Sequence, residues 1–250
     1  LGLLICVMKR SSVETAHLLE LGVFGTMVAH LRALGEPDTW LSLSRPLSCR
    51  SVASVIADLT AVIMRHHGRE GKDAFVSSGL CDGFVGAVSA FAQAGAEDTH
   101  HAGLTMMLSS LAICCLEPEC KAKLRAVPSD LAYCLDHSLD MCPEIGVTSG
   151  AYAAELCAKL YGRCEEADSS FRFSQEHVDH LLTKFSQITD AVGFWADFEP
   201  TADSVFTLEL CVSDLNKPLL LANPMFLEHI LSGLLLDAQH PRAQMTEPKR

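Results

Sequence analysis

The chain has 250 residues, of which 49% are hydrophobic and 20% are charged, and its formal net charge is −12. Disorder requires low hydrophobicity and high charge, so this composition excludes a disordered chain, and its Pro and Gly residues are too dispersed for collagen-like sequence. The acidic balance and the lack of a dense Lys/Arg cluster argue against nucleic acid and anionic membrane surfaces as partners.

The beginning of the chain and its cysteines predict the compartment. The apolar run Leu1–Met8 is short and has no basic region before it, so it does not resemble a signal peptide. Most of the 11 cysteines lie in apolar, helix-like stretches, where a free thiol behaves as a small hydrophobic side chain. The longest near-apolar stretch that we identify, Gly103–Leu116, has 14 residues, fewer than the roughly 20 that span a bilayer. We therefore predict a cytoplasmic protein with reduced cysteines and no membrane insertion.

Taken in chain order, the predicted elements form a repeat. Five similar segments each carry a turn residue followed by an apolar helix, and the turn residues are Gly22, Gly79, Ala126, Phe173 and Ala222. The successive steps are 57, 47, 47 and 49 residues. The long first step contains a loop, 35–48, with two prolines; without about ten of its residues the period is even.

The apolar positions within each segment predict a helix with one buried face. Residues at five, nine and twelve positions after each turn residue have the i, i+4, i+7 spacing of a buried helical stripe. Fourteen of these fifteen are apolar, the exception being Ser138; the first two of each unit are Met27 and Leu31, Phe84 and Val88, Leu131 and Leu135, Val178 and Leu182, Leu227 and Leu231. We expect Ala at Phe84 or Leu231 to cost roughly 2 to 5 kcal/mol of stability.

Further helices are predicted between these stripes. The strongest pattern covers 52–63, with Ser48 or Ser51 as a candidate N-cap. Others cover 104–115, 151–160 and 205–215. Each unit is thus predicted to consist of a long helix, a short helix, a tight turn and a second long helix, and strand-type alternation is not convincing anywhere.

Two segments carry a resemblance to a known family. Leu-Glu-Leu-Gly22-Val-Phe-Gly-Thr-Met-Val and Val-Ser-Ser-Gly79-Leu-Cys-Asp-Gly-Phe-Val resemble the junction of the second and third helices in armadillo repeats. The resemblance covers about residues 11–236 and is weaker where Ala126 and Phe173 replace the turn glycine. HEAT-like helix pairs would give a similar pattern. The resemblance implies an all-α fold: a right-handed α-α superhelix, or armadillo-like solenoid, of about five units over 1–242, followed by a polar tail, 243–250.

The resemblance also implies a surface for partners. In such a solenoid the third helices line a concave face, and positions seven and eleven residues after each turn residue lie beside the buried stripe. These positions are small in the first two units, for example Gly86, and polar or aromatic later. The candidate binding residues are Tyr133, His137, His180, Lys184 and His229. We predict a non-catalytic scaffold or adaptor that binds a protein partner through a peptide or helix there; a small ligand near the first four is a further possibility.

An alternative follows from the ends of the sequence. Because an apolar run begins at the first residue, we expect the chain to be a fragment of a longer protein or of an incomplete gene. The segment 216–242 also resembles armadillo segments of multidomain proteins that carry a TIR or other effector domain downstream. The alternative function is therefore a regulatory or targeting arm whose effector domain lies outside this chain.

Other functions find little support in the residues. Import-receptor grooves of armadillo proteins hold basic peptides with ladders of Asn and Trp, whereas both Asn and both Trp of this chain lie off the groove positions. Cys114, Cys115 and Cys120 form no CxxC pair, which favours core cysteines over a metal site. His177 and His180 lack a third ligand and are predicted to face solvent, and His66 with His67 is predicted to complement a helix C-terminus. No catalytic motif is present, and Gly68–Asp73 is predicted to be a helix–helix turn rather than a phosphate loop, so we predict no enzyme activity, no metal and no cofactor.

Overall fold

The structure is a computed structural model in which residues 12–42, 44, 47–95, 101–137, 149–163, 171–191 and 202–226 are described. Over these residues the chain is helical, with turns between the helices and no strand. The all-α prediction is therefore confirmed for the described part of the chain. The helices are α1 (Ser12–Glu20), α2 (Val23–Leu34), α3 (Pro37–Trp40), α4 (Leu47–Ser77), α5 (Leu80–Ala94), α6 (His101–Cys114), α7 (Pro118–Arg125), α8 (Pro128–His137), α9 (Ser149–Tyr161), α10 (Gln175–Ala191), α11 (Ala202–Val212) and α12 (Lys217–Ala222).

The predicted turn residues stand at the helix junctions. Gly22 and Gly79 adopt left-handed backbone conformations, with φ of 69° and 82°, directly before α2 and α5. A residue with a β-carbon is strained in this conformation, which explains glycine at both positions. Ala126 instead has φ of −79° and follows α7, so the third unit turns without a left-handed residue and has no need of glycine.

The predicted buried stripe is confirmed wherever the structure describes it. Phe84, Val88 and Phe91 of α5 are at most 1% exposed. In the other units Met27, Leu31, Leu131, Leu135, Val178 and Leu182 are also buried and Leu34 is half-buried, while the Phe185 side chain lies outside the described part of the structure. Ser138 and the last unit's positions, including Leu227 and Leu231, lie outside the described residues. Burial of this face against neighbouring helices supplies most of the stability of such amphipathic helices.

The helices pack in two series that follow the order of the chain. In one series α4 packs against α6, α6 against α9, and α9 against α11. In the other, α2 packs against α5 and α5 against α8, while α5 also contacts α4 and α6. The buried residues of these helices belong to one hydrophobic cluster.

Helix α4 bends sharply where the sequence predicts a helix–helix turn. Gly68 interrupts it with φ of 50° and ψ of −117°. Beyond the bend the two segments approach closely, because a β-carbon on Gly71 would lie 3.0 Å from Cα of Met64. Just before the bend, the imidazoles of His66 and His67 are hydrogen-bonded to Thr15 of α1. Oγ1 of Thr15 lies 3.0 Å from Nδ1 of His66 and 2.8 Å from Nε2 of His67. This pair therefore fastens α1 to α4 through hydrogen bonds, a role that the helix-terminus interpretation missed.

Among the described helices, α4 is long enough and apolar enough to cross a membrane by length and composition. Its apolar window is 47% buried inside the fold, and a buried core helix meets the same criteria. Ala53, Ala57 and Ile63 of α4 are fully buried within the core. The structure contains no bilayer, and the absence of membrane insertion stays a prediction.

Six of the eight described cysteines are buried and all eight are free thiols. The prediction of core cysteines is confirmed for Cys114, Cys115 and Cys120. Burial raises the pKa of the Cys115 thiol to about 12, against the pull of nearby Lys159. Burial likewise raises the pKa values of Cys134 and Cys157, two thiols of α8 and α9.

Because the pKa values of these thiols are raised in the folded protein, we expect the protein to lose stability at alkaline pH. A thiol whose pKa is higher in the folded state favours folding below its unfolded pKa of about 8.5, and this contribution is lost as the pH rises toward 12. We expect the free energy of unfolding to fall above about pH 8.5, by up to about 1.4 kcal/mol per pH unit for each such thiol. Urea denaturation under reducing conditions at pH 8 and pH 10 measures the slope, and Cys115→Ala should reduce it. Cys49→Ala, at a partly exposed position, is the control; equal slopes in both variants contradict the prediction.

Candidate interaction surface

Two of the predicted binding residues form a stacked pair on α8. The rings of Tyr133 and His137 lie 3.9 Å apart between centroids with an interplanar angle of 12°. They stand one helical turn apart, the separation at which side chains on one face meet. His137 Nδ1 lies 3.0 Å from the carbonyl oxygen of Tyr133, and since a carbonyl only accepts, Nδ1–H is the donor. We call Tyr133 and His137 the aromatic pair.

A buried side chain of α5 packs against the aromatic pair. The buried ring of Phe91 meets Tyr133 edge-to-face, with 5.5 Å between the ring centroids. Tyr133 is half-buried and His137 is exposed, so the pair has a fixed inner edge and an accessible outer face. Aromatic side chains held in this way lose little conformational freedom on binding, which suits them to contact a partner.

Next to the aromatic pair, α8 is tied to α10 by a hydrogen bond between residues far apart in sequence. Nε2 of His177 lies 2.9 Å from Oδ1 of Asp136. The Ser174 backbone N–H donates to Nδ1 of the same ring at 3.2 Å. Because Nδ1 accepts this bond, the proton of the neutral ring is on Nε2, which donates to Asp136. The ring is therefore held at both nitrogens.

Ser174, His177 and Asp136 contain the residue types of a hydrolytic triad, but their contacts differ from one. The Ser174 hydroxyl oxygen accepts the backbone N–H of His177 at 3.1 Å, while the His177 ring returns to the Ser174 N–H. This reciprocal pattern is a capping box at the start of α10. A nucleophile in a triad is instead hydrogen-bonded to its base, so these contacts explain how α10 begins and do not indicate catalysis.

An aromatic cluster covers one side of His177. Phe171 stacks on the imidazole with 6.2 Å between ring centroids. The ring of Phe171 also lies 5.1 Å from that of Phe173 and 5.0 Å from that of Tyr161, between centroids. The His177 side chain is 22% exposed, so it is partly covered and reaches solvent less than the sequence predicts. The helical spacing correctly predicts that His177 is not on the buried stripe of α10. It cannot predict the contacts with Phe171 and Phe173, which lie before the helix begins.

The hydrogen bond between His177 and Asp136 predicts a measurable coupling. We expect a double-mutant cycle of His177→Ala and Asp136→Ala, measured by urea denaturation at neutral pH, to give an interaction energy of about 1 kcal/mol. This value is lower than that of a buried charged hydrogen bond because both side chains are partly exposed. The Lys217–Asp214 pair is the control, since its side chains are 46% and 99% exposed, and we expect coupling near zero there. Equal couplings in the two cycles contradict the assigned hydrogen bond.

The remaining predicted binding residues lie on α10 or beyond the described chain. His180 is half-buried on α10, one helical turn after His177. Lys184 also belongs to α10, but its side chain is outside the described part of the structure, and so is the whole of His229. Tyr133 and His137 are thus the predicted pair that the structure brings into contact, and His177 and Asp136 are neighbours that sequence reasoning missed.

The small residues that the sequence predicts on this surface are exposed in the first unit, at Ala29 and Ala33, and half-buried in the second, at Gly86 and Ala90. Helix α3, formed by the loop that lengthens the first step of the repeat, lies on the outer face of α5. A β-carbon on Gly86 would lie 3.1 Å from Cγ of Pro37, and one on Gly83 would lie 2.7 Å from Cη2 of Trp40. At Gly86 the absence of a β-carbon lets the ring of Pro37 approach, so this position is partly covered.

Both asparagines have structural roles away from the aromatic pair. Asn216 is 3% exposed and donates from Nδ2 to the Gly162 carbonyl oxygen at 2.9 Å. Asn223 is 4% exposed; its Oδ1 accepts the backbone N–H groups of Met225 and Phe226, and its Nδ2 donates to Asp179. These bonds fasten the last described turns to α9 and α10, which agrees with the prediction that neither Asn belongs to a groove.

No group of three or more His, Cys, Asp or Glu side chains within the described ranges is arranged to hold a metal ion. Comparison with known proteins adds no relative: no family model, curated protein or solved structure matches the chain. The described residues define the class of protein as all-α, with a partly exposed aromatic pair on α8.

Proposed function

We propose that the chain is a cytoplasmic, non-catalytic protein–protein interaction scaffold or adaptor. In this proposal the two series of helices form an armadillo-like, right-handed solenoid of about five units, and a peptide or helix of a partner binds on its concave face. The packing of each unit against its sequence neighbours supports the proposal. The buried apolar pairs at i and i+4 that recur in α2, α5, α8 and α10 support it as well.

The observation that carries the proposal is the aromatic pair. Tyr is enriched among residues that dominate binding energy, and such residues stand in well-packed surroundings with one accessible face. Tyr133 rests on the buried Phe91 and stacks with His137. The adjacent bond from His177 to Asp136 holds α10 beside the pair, so a rigid surface of two helices is available to a partner.

Site-specific photo-crosslinking tests this surface. A benzophenone amino acid at position 137 should capture a discrete partner from a lysate, whereas the same group at position 116 should not. Leu116 is a suitable control because it is 60% exposed and lies on the turn after α6, outside α8 and α10. For the partner identified, we expect Tyr133→Ala to weaken binding by at least about fivefold. Identical capture at both positions, or unchanged affinity in Tyr133→Ala, contradicts the proposal.

A further inference from the structure

Three buried cysteine side chains meet where α5, α6 and α7 pack against one another. Cys81 is the second residue of α5, Cys114 is the last residue of α6, and Cys120 lies in α7. All three are 0% exposed. The Cys120 thiol is hydrogen-bonded to the sulfur atoms of both Cys114 and Cys81. Three helices thus bring three sulfur atoms into mutual reach, and we call these residues the thiol cluster.

A network of ion pairs at the surface lies beside the thiol cluster. The Lys123 ammonium is 2.8 Å from Oδ1 of Asp82 and 2.8 Å from Oε1 of Glu119. Asp82 follows Cys81 in α5 and Glu119 precedes Cys120 in α7, so this one cation holds the two helices together next to both thiols. The Asp82 and Glu119 side chains are 59% and 62% exposed. Solvent therefore reaches the groups that adjoin the cluster.

The surroundings of Cys81 favour its thiolate. The hydrogen bond from the Cys120 thiol and the positive charge of Lys123 lower the pKa of Cys81, and together they outweigh burial and the two carboxylates. Cys81 also lies in the first turn of α5, at the positive end of the helix dipole. Hydrogen bonds to Cys114 and Cys81 raise the pKa of Cys120, so Cys120 keeps its proton. Because the thiolate is the nucleophile, Cys81 is the reactive member of the cluster.

We propose that Cys81 and Cys120 are a modification site at which hydrogen peroxide, a small uncharged oxidant, forms a disulfide between α5 and α7. The Cys81 thiolate attacks one peroxide oxygen: an S–O bond forms, the O–O bond breaks, and the hydroxide that leaves takes up a proton to become water. The Cys120 sulfur then attacks the sulfenic sulfur of Cys81. An S–S bond forms, the S–O bond breaks, and a second water leaves with the Cys120 proton. Two thiols thus lose two electrons, and one peroxide is reduced to two waters.

Peptide mapping of the full chain after treatment with hydrogen peroxide tests the pairing. Trypsin with a glutamate-specific protease places the three cysteines of the cluster in separate peptides, and we expect a disulfide-linked pair with Cys81 and Cys120 that dithiothreitol separates. Cys134 and Cys157 are the control within the same molecule, since burial raises the pKa values of these neighbouring thiols. Their disulfide should form at least about tenfold more slowly. No disulfide, a main product that joins Cys114 to Cys120, or equal rates for the two pairs would overturn the proposal.

Two variants test the roles of the individual groups. Lys123→Gln removes the charge beside Cys81 and should slow disulfide formation at pH 7 at least about threefold. Lys121→Gln is the matched control, because a residue two positions away points to another side of α7, and it should leave the rate unchanged. Cys120→Ser should leave Cys81 as a sulfenic acid that dimedone labels. Equal rates in the two lysine variants, or no dimedone label on Cys81 in Cys120→Ser, would contradict the assigned roles; the mapping of the wild-type chain depends on no variant.

Discussion

Replacement of Phe84 by alanine is expected to lower the free energy of unfolding by about 3–5 kcal/mol. Phe84 is 0% exposed on the stripe of α5, and its ring lies 5.6 Å from that of Phe75 in the second segment of α4. Helix α5 contacts both series of helices, so neighbouring side chains cannot close the cavity without separating packed helices. Urea denaturation followed by circular dichroism measures the change.

The control for Phe84 is an exposed apolar residue. Leu116→Ala removes a side chain that is 60% exposed, and we expect a change within about 0.5 kcal/mol. A cost near zero at Phe84, or equal costs at both positions, would show that the face of α5 is assigned incorrectly. The slope of the transition should be the same in both variants, because neither change alters the surface exposed on unfolding by much.

Replacement of Gly162 by alanine is the second large effect, with an expected cost of about 1–3 kcal/mol. Its added β-carbon would lie 2.4 Å from the carbonyl oxygen of Ala158 and 3.0 Å from Cβ of Glu209. Backbone must move, and the same region holds the bond from Asn216 to the Gly162 carbonyl and the ion pair of Arg163 with Glu209. Thermal and urea denaturation both report the loss.

Gly25 provides the matched control for Gly162. It lies within α2, and a β-carbon there has no neighbour within 4 Å. Alanine is favoured over glycine inside helices, so Gly25→Ala should stabilise the protein by up to about 1 kcal/mol. Opposite signs for the same substitution at the two positions are the expected result. Stabilisation by both variants would show that α9 and α11 do not pack as closely as described.

Local pattern was sufficient to predict the helical class and the buried faces of α2, α5, α8 and α10 as far as the structure describes them. The stripe residues of α5, Phe84, Val88 and Phe91, recur with the helical period within a few residues of Gly79. Such spacing reflects interactions along one helix, and a glycine at a left-handed turn is determined by its own backbone. The burial of the cysteines was predictable for the same reason, because a thiol within an apolar stretch shares the environment of its neighbours.

The site could be predicted only where it is confined to one helix. Tyr133 and His137 are four residues apart, so helical geometry alone brings them together. The bond between His177 and Asp136 joins residues 41 apart, and the aromatic cover of His177 comes from a segment before α10. No periodicity specifies such a pairing, because it depends on how α8 and α10 are placed.

What the sequence by itself determined is therefore the helical nature of the described chain and the inward face of helices such as α5, since these follow from contacts within a few residues. Tertiary structure alone decided that Trp40 closes over Gly83 and that Gly162 admits no side chain. The physical reason is the same in both cases. A side chain at either position would collide with an atom far away in sequence, Cη2 of Trp40 at Gly83 and Cβ of Glu209 at Gly162, and only the packing of helices brings these atoms near.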